Sequence, residues 1–247
     1  MMNNFSVIMP IRNEESNLTF SLPSIYRLNP SDIVLLFDRC SDGSLRQARE
    51  IASRHKKLGI TQFVSVDFPS DFGLRFAFLR TFGCKLAVCN TILITAADLV
   101  LDPKIRNYVD LVGEYGLVTF EYVDFPVNWR RLVKRLLARV LPFGWIGGVR
   151  LFDRRLLRFE DVEELKGLES GEDTFLVDSL RGHVKTLYVM SNTVHLRPRE
   201  TMESHLLRGR LYARFRRSFL LAVACGLATF RLGLIKGYIR ERVKLKG

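Results

Sequence analysis

Four short apolar runs, each of the first three followed by a helical pattern, constrain this chain more than any other feature of its sequence. The runs are Phe5–Met9, Asp32–Phe37 (DIVLLF), Thr61–Val66 and Thr91–Thr95 (TILIT). Helical periodicity is predicted between them, from about Glu14 to Tyr26, Ser44 to Leu58 and Gly73 to Val88. Near-continuous apolar strands spaced by helices mean a parallel sheet covered on both faces, because each strand must bury both of its sides. In such sheets ligands bind at the carboxyl ends of the strands, so the residues just after each run are the ones to inspect.

Beyond Pro103 the rhythm loosens. Strands are predicted over Gly116–Val123, Ile146–Phe152 (IGGVRLF) and Lys185–Met190. A basic amphipathic helix is predicted at Asn128–Leu141 and a short one at Thr174–Leu180. No internal repeat or low-complexity stretch interrupts the pattern. From about Glu203 onward the pattern is helical and basic, which divides the chain into a domain over residues 1–200 and a basic amphipathic extension over 201–247.

Charge reinforces that division. The 247 residues carry 38 Lys and Arg against 26 Asp and Glu, a net charge of +12. From Arg197 to Gly247 there are 13 basic residues and 3 acids, so almost the whole excess lies in the last 51 residues. A basic tail on a near-neutral body suits docking on an anionic surface more than a basic substrate groove. Within the tail, Ser218–Phe230 runs 13 residues without a charge, bracketed by Arg217 and Arg231. A spanning helix needs about 20 apolar residues. The segment therefore packs on the domain, lies in a membrane interface with its arginines at the phosphates, or spans, and the interfacial placement is preferred. The four cysteines form no CxxC and read as small core residues in a reducing compartment. The opening MMNNFSVIMPIRNEE has neither the basic start nor the apolar run of a signal peptide. The expected location is cytoplasmic, peripheral on the cytoplasmic face of a membrane.

Two polar turns follow the first two strands: Pro10-Ile11-Arg12-Asn13-Glu14-Glu15, and Asp38-Arg39-Cys40-Ser41-Asp42-Gly43-Ser44. Neither GxGxxG nor GxxxxGK[ST] occurs, so a dinucleotide fingerprint and a P-loop are absent. Taken singly, Ser44 reads equally as a helix cap and Asp38 as an Asx turn.

As a set, the motifs are specific. SVIMPIRNEESNL followed by IVLLFDRCSDGS resembles the opening of family 2 glycosyltransferases of the GT-A fold. Arg80-Thr81-Phe82-Gly83 with ILITAAD, then GGVRLFDRRLL, GEDTFLVDSLRGH and HLRPRE, continue the resemblance in order over about residues 5–200. The fold class this implies is α/β: a GT-A, Rossmann-like, mostly parallel sheet flanked by helices, with the basic helical extension at its end.

The resemblance implies roles for individual residues. Pro10, Arg12, Asn13, Glu14 and Asp38 would line the nucleotide site. Arg80 would pair with a phosphate oxygen, or else be a solvated helix arginine. The family's D-x-D is reduced here to Ala96-Ala97-Asp98, which leaves Ala97 and Asp98 in the nucleotide-sugar site and implies either a weaker affinity for a divalent cation, Mg²⁺ or Mn²⁺, or independence of one. Asp98 and His195 are the candidate metal ligands, whereas Asp102 reads as the cap of a helix starting at Pro103. Gly147 and Gly148 would let the backbone approach the sugar, or form a bulge. Asp173 is the candidate general base and Glu172 a hydrogen-bond partner of the acceptor. Isolated acids at that place would be no more than favourable first-turn charges.

The reading is therefore an inverting glycosyltransferase of the hexosyltransferase class. It would move a sugar from a UDP- or GDP-sugar to an acceptor hydroxyl or phosphate, with a lipid-linked acceptor one candidate. The expected partners are the donor, an acceptor and an anionic membrane surface, without nucleic acid. The rival readings are a catalytically impaired nucleotide-sugar-binding protein, motivated by Ala96, and a basic nucleic-acid-binding protein, which lacks any RNP, KH or zinc signature.

Overall fold

The computed structural model describes residues 4–67, 72–124, 149–157, 184–196, 235–236 and 238–240. Gly147, Gly148, Glu172, Asp173 and Cys225, the expected helices at 128–141 and 174–180, and the apolar run 218–230 lie outside the described residues. The chain divides into two compact units, Met1–Phe125 with Ile146–Arg197, and Pro126–Trp145 with Pro198–Gly247.

The first unit is built on one sheet. Its elements are β1 (Ser6–Ile11), α1 (Glu15–Arg27), β2 (Asp32–Asp38), α2 (Ser44–Arg54), β3 (Thr61–Val66), α3 (Phe72–Leu86), β4 (Thr91–Ile94) and β5 (Leu99–Val100). A 3-10 helix over Pro103–Leu111 and the single turn α4 (Val112–Tyr115) lead to β6 (Leu117–Asp124), β7 (Val149–Asp153) and β8 (Thr186–His195). The strand order is β3-β2-β1-β4-β7-β6-β8-β5.

The β3-β2-β1-β4 half is parallel throughout, as the apolar runs require. Alternation along its strands sorts two cores. Val7, Met9, Ile11, Ile33, Leu35 and Phe37 face Leu18, Leu22, Ile25, Ala48 and Ile51 of α1 and α2. Ile8, Val34, Leu36, Ile92 and Ile94 face Leu79, Cys84 and Ala87, at α3 and just after it. Complete burial of such aliphatic side chains contributes about 1.5–3 kcal/mol each, which makes this half the rigid base of the unit. The other half is mixed: β7 is antiparallel to both β4 and β6, β8 is parallel to β6, and β5 is antiparallel to β8.

Several element ends differ from the sequence reading. The helix expected to reach Leu58 stops at Arg54. Lys56 adopts a left-handed conformation (φ 55°), and its N–H and that of Lys57 donate to Ser53 O and Ala52 O. This is a Schellman stop, with lysine at the position glycine usually takes. The last strand extends past Met190 and includes His195 rather than ending before it. Cys84 is buried as expected, but Cys40 and Cys89 are partly exposed rather than core residues. Asp102 does cap the helix at Pro103, accepting from Lys104 N at 2.9 Å.

In the second unit, Ile235, Lys236, Ile239 and Arg240 are described lining residues of a cavity of about 560 Å³. No helix among the described residues is long and apolar enough to cross a membrane.

Candidate functional site

The carboxyl ends of β1, β2 and β4 open at the same edge of the sheet, because the three strands run in parallel and in register: Ile11 pairs with Phe37, and Ile8 with Ile94. Two of the turns that leave this edge are bound to each other. Each has a left-handed residue within two positions of its strand's end, Asn13 (φ 53°) and Arg39 (φ 44°). Asparagine tolerates that conformation; for arginine it is uncommon and is held by its surroundings. Asn13 Oδ1 accepts from Ser41 N at 2.8 Å, and Arg39 N donates to Val66 O. The exposed Arg39 and Asp67 side chains pair at 3.7 Å.

The two helix starts cap each other. Neither α1 nor α2 has a side-chain cap from its own N-cap residue. Instead Glu14 N donates to Ser44 Oγ (2.9 Å) and Glu15 N to Asp42 Oδ2 (3.1 Å). In return Gly43 N donates to Glu15 Oε2 at 3.1 Å. Open N–H groups at a helix start need such acceptors. Here each turn supplies the other's, which fixes both as one preformed rim. Burial pulls the Asp42 carboxyl up, but the Ser44 hydroxyl and the backbone N–H groups of Glu15 and Ser44 outweigh it and hold the group below the usual aspartate value. The Cys40 thiol donates to Ile11 O at 3.4 Å. Burial pushes that thiol up, so it stays protonated at neutral pH.

Five of the expected site residues, Pro10, Arg12, Asn13, Glu14 and Asp38, belong to this rim. Asp38 ends β2 and is 2 % exposed, and Glu14 is 7 % exposed. Asn17 Nδ2 donates to Glu14 Oε2 at 2.7 Å. Arg12 and Asn13 are exposed and Pro10 is half-buried. Arg80 is a half-buried residue of α3 rather than a solvated one, close enough for its charge to act on the Cys84 thiol.

After β4 the chain turns through Thr95–Asp98 at the same edge. Ala97 and Asp98 are buried. Leu99 pairs with His195 and Val100 with Val194, and Leu196 N donates to Asp98 O at 2.8 Å. This short ladder brings two side chains 97 positions apart into contact: His195 Nε2 lies 3.1 Å from Asp98 Oδ2. The Tyr122 ring packs against the imidazole, centroids 4.9 Å apart. Nothing in the sequence singles out Tyr122, whose contact depends on the register of β6 against β8.

A carboxylate oxygen and an imidazole nitrogen suit Mn²⁺ and, less well, Mg²⁺. Two adjacent ligands of an octahedral ion at about 2.1 Å stand about 3 Å apart, the separation found here, so the pair fits such an ion. Among the described residues no group of three or more His, Cys, Asp or Glu could hold a metal. Water and an anionic ligand would have to complete the shell.

No protein-family model and no curated protein matches the sequence. Solved structures do. S. aureus TarS 1-349 in complex with UDP-GlcNAc is similar at a TM-score of 0.58 and 14% identity, over 86% of this chain and 66% of that one. Mannosyltransferase PcManGT from Pyrobaculum calidifontis, in complex with GDP-Man and Mn²⁺, is similar at 0.58 and 18%, over 89% of this chain and 64% of that one. Glucosyl-3-phosphoglycerate synthase from Mycobacterium tuberculosis, with Mn²⁺, UDP and phosphoglyceric acid, is similar at 0.56 and 18%, over 87% and 79%. The chain thus spans slightly less than two thirds of the TarS and mannosyltransferase chains. The mixed eight-stranded sheet with helices on both faces is the GT-A fold.

Proposed function

We propose that the chain is a glycosyltransferase that takes its sugar from a UDP- or GDP-sugar and transfers it with inversion to an acceptor hydroxyl or phosphate oxygen. One observation carries this reading: the Asp98–His195 pair, 3.1 Å apart, at the carboxyl edge of the parallel strands in a GT-A fold. The similar structures contain UDP-GlcNAc, GDP-Man or UDP, two of them with Mn²⁺, which supports the same ligand class here. Pro10–Glu14 and Asp38 would line the nucleotide site, with the mutual caps keeping it preformed, and Arg80 would serve the diphosphate. Asp98 and His195 would hold the divalent ion, which when bound offsets the charge developing on the leaving diphosphate. Ala97 and the Gly147-Gly148 backbone would border the sugar. Asp173 would accept the proton of the attacking hydroxyl and Glu172 would orient the acceptor. Asp173→Asn is then expected to lower kcat by roughly 10²–10⁴ fold with donor affinity unchanged.

A lipid-linked acceptor is one candidate, with the protein peripheral on the cytoplasmic face of a membrane; an anionic acceptor bound directly by the basic extension is the other. The net charge of the last 51 residues supports this. Calorimetric titration with UDP, GDP and their sugars, with and without Mn²⁺, followed by a hydrolysis assay, tests the reading. Absence of binding to both nucleotides overturns it.

A second reading is a nucleotide-sugar-binding protein without turnover. Its support is Ala96, half-buried against the larger core where the family pattern has an acid. Tight donor binding without hydrolysis or transfer would favour it.

A further inference from the structure

We infer that Asp102 is a positioning residue for the Asp98–His195 pair, an inference that rests on reading that pair as the cation and diphosphate site. Asp102 is 6 % exposed, and its carboxylate is divided between two tasks. Oδ1 accepts from Lys104 N at 2.9 Å, capping the helix that follows. Oδ2 accepts from Asn192 N at 2.8 Å, and Asp102 N donates to Thr193 Oγ1 at 3.1 Å. Only the first task is that of a helix cap.

Asn192 and Thr193 belong to an irregularity in β8. Glu121 of β6 pairs with Met190, but the next residue, Tyr122, pairs with Thr193. Ser191 and Asn192 are thereby looped out of the ladder. The Ser191 hydroxyl donates to Glu121 O at 2.7 Å and accepts from Thr193 N at 3.1 Å. Were the earlier register to continue, His195 would fall two positions beyond Asp124. Instead it pairs with Asp124 on one side and Leu99 on the other. At about 3.3 Å per residue the bulge draws His195 back by roughly 7 Å, a common use of bulges beside sites. Asp98 directly precedes β5 and Asp102 follows it by two residues, so the segment that carries Asp98 is also tied by Asp102 to the bulge that sets the place of His195. Thr193 is fully buried, so its bonds to Asp102 N and the Ser191 hydroxyl are shielded from water, whereas the bond from the exposed Asn192 is only partly so.

The test uses the full chain with Mn²⁺ and UDP as probes. Free Mn²⁺ is read by electron paramagnetic resonance, UDP by calorimetry with and without Mn²⁺, and stability by thermal melting in EDTA. Asp102→Ala is expected to weaken Mn²⁺-dependent UDP binding about 10- to 100-fold, the usual cost of losing a residue that orients a metal ligand. UDP binding in EDTA should be unchanged. Asp102→Asn, which keeps one acceptor oxygen, should fall between. If Asp102→Ala does not fold, Asp102→Asn, which can keep the Oδ1 cap but replaces the acceptor of Asn192 N by an amide, is read the same way. A lowered melting temperature with wild-type Mn²⁺ dependence overturns the inference and leaves Asp102 a helix cap. If His195→Ala also retains wild-type Mn²⁺ dependence, the metal reading of the pair fails, and the inference with it.

Discussion

Glu15 and Gly43 face each other across the two turns at the site's rim: Gly43 N donates to Glu15 Oε2, and a Cβ on Gly43 would lie 2.1 Å from Glu15 Oε1. The same carboxylate pairs with Arg46 at 3.0 Å. Absence of a side chain at position 43 is therefore what leaves room for the Glu15 carboxylate against the start of α2.

Gly43→Ala should push Glu15 aside and cost one hydrogen bond, about 0.5–1.5 kcal/mol. The clash is with the end of a flexible side chain, so the fold survives. In a Glu15→Ala background that hydrogen bond is already gone, and the same substitution should cost less, only the amount by which alanine is a poorer N-cap than glycine, up to about 1 kcal/mol. Denaturant melts of the four variants check this, and equal costs in both backgrounds would disprove the contact.

Gly83 is a second glycine set by close approach. A Cβ there would meet Ile8 Cγ2 at 2.5 Å and Leu36 Cδ1 at 3.1 Å, where α3 lies on β1 and β2. Neither neighbour can move far in a packed core. Gly83→Ala should destabilise by about 1–3 kcal/mol. Ile8→Leu, which removes the branched methyl, should recover part of that loss, as measured by melting temperature.

The two halves of the fold differ in how far the sequence announces them. DIVLLF and TILIT declare buried parallel strands because both faces must be apolar, and Asp102 before Pro103 declares a cap. β5 is two residues long, too short to show any period, yet it is the strand that joins Asp98 to His195. The bulge at Ser191-Asn192 is equally silent, because serine and asparagine within a strand pattern do not reveal a change of register. The mutual capping of Glu14, Glu15, Asp42 and Ser44 was hidden for another reason. Each of these residues reads as a local turn or first-turn residue, while its partner stands about 30 positions away.

Asp42 offers a pH test. Its folded value lies below the unfolded one, about 3.9. The stability it contributes is therefore complete above that value and is lost as pH falls through the lower folded value. Asp153, held low by hydrogen bonds from Arg155, acts in the same direction. Melting temperatures of wild type and Asp42→Asn should differ most near neutral pH and converge below pH ~4. A constant difference across that range would show that the Asp42 charge contributes nothing.

Cys84 reports on global opening. Burial pushes its thiol up to about 12, against the pull of Arg154 and Arg80. Even at pH ~9, where a free thiol of pKa ~8.5 is mostly ionised, Cys84 stays protonated and enclosed. Alkylation followed by peptide mass mapping should label Cys40 and Cys89 first, and Cys84 only at the rate of unfolding. Labelling of all three at one rate would contradict this.

Asp98 is where the proposed chemistry can be separated from packing. Its side chain is 8 % exposed and lies against His195, so any substitution disturbs a buried polar contact. Asp98→Asn keeps size and one hydrogen-bonding oxygen but removes the charge; Asp98→Ala removes both. If the pair holds a cation, both variants should lose Mn²⁺-dependent UDP binding by roughly tenfold or more. Only Asp98→Ala should also lose the further stability of the buried hydrogen bond, about 1–3 kcal/mol. Ala96→Asp restores an acid two residues before Asp98 and should tighten Mn²⁺ binding, since added carboxylate charge raises affinity for a hard cation. A purely structural Asp98–His195 pair gives the opposite pattern: Asp98→Asn would bind UDP as wild type does with or without Mn²⁺, and Ala96→Asp would change nothing but the melting temperature.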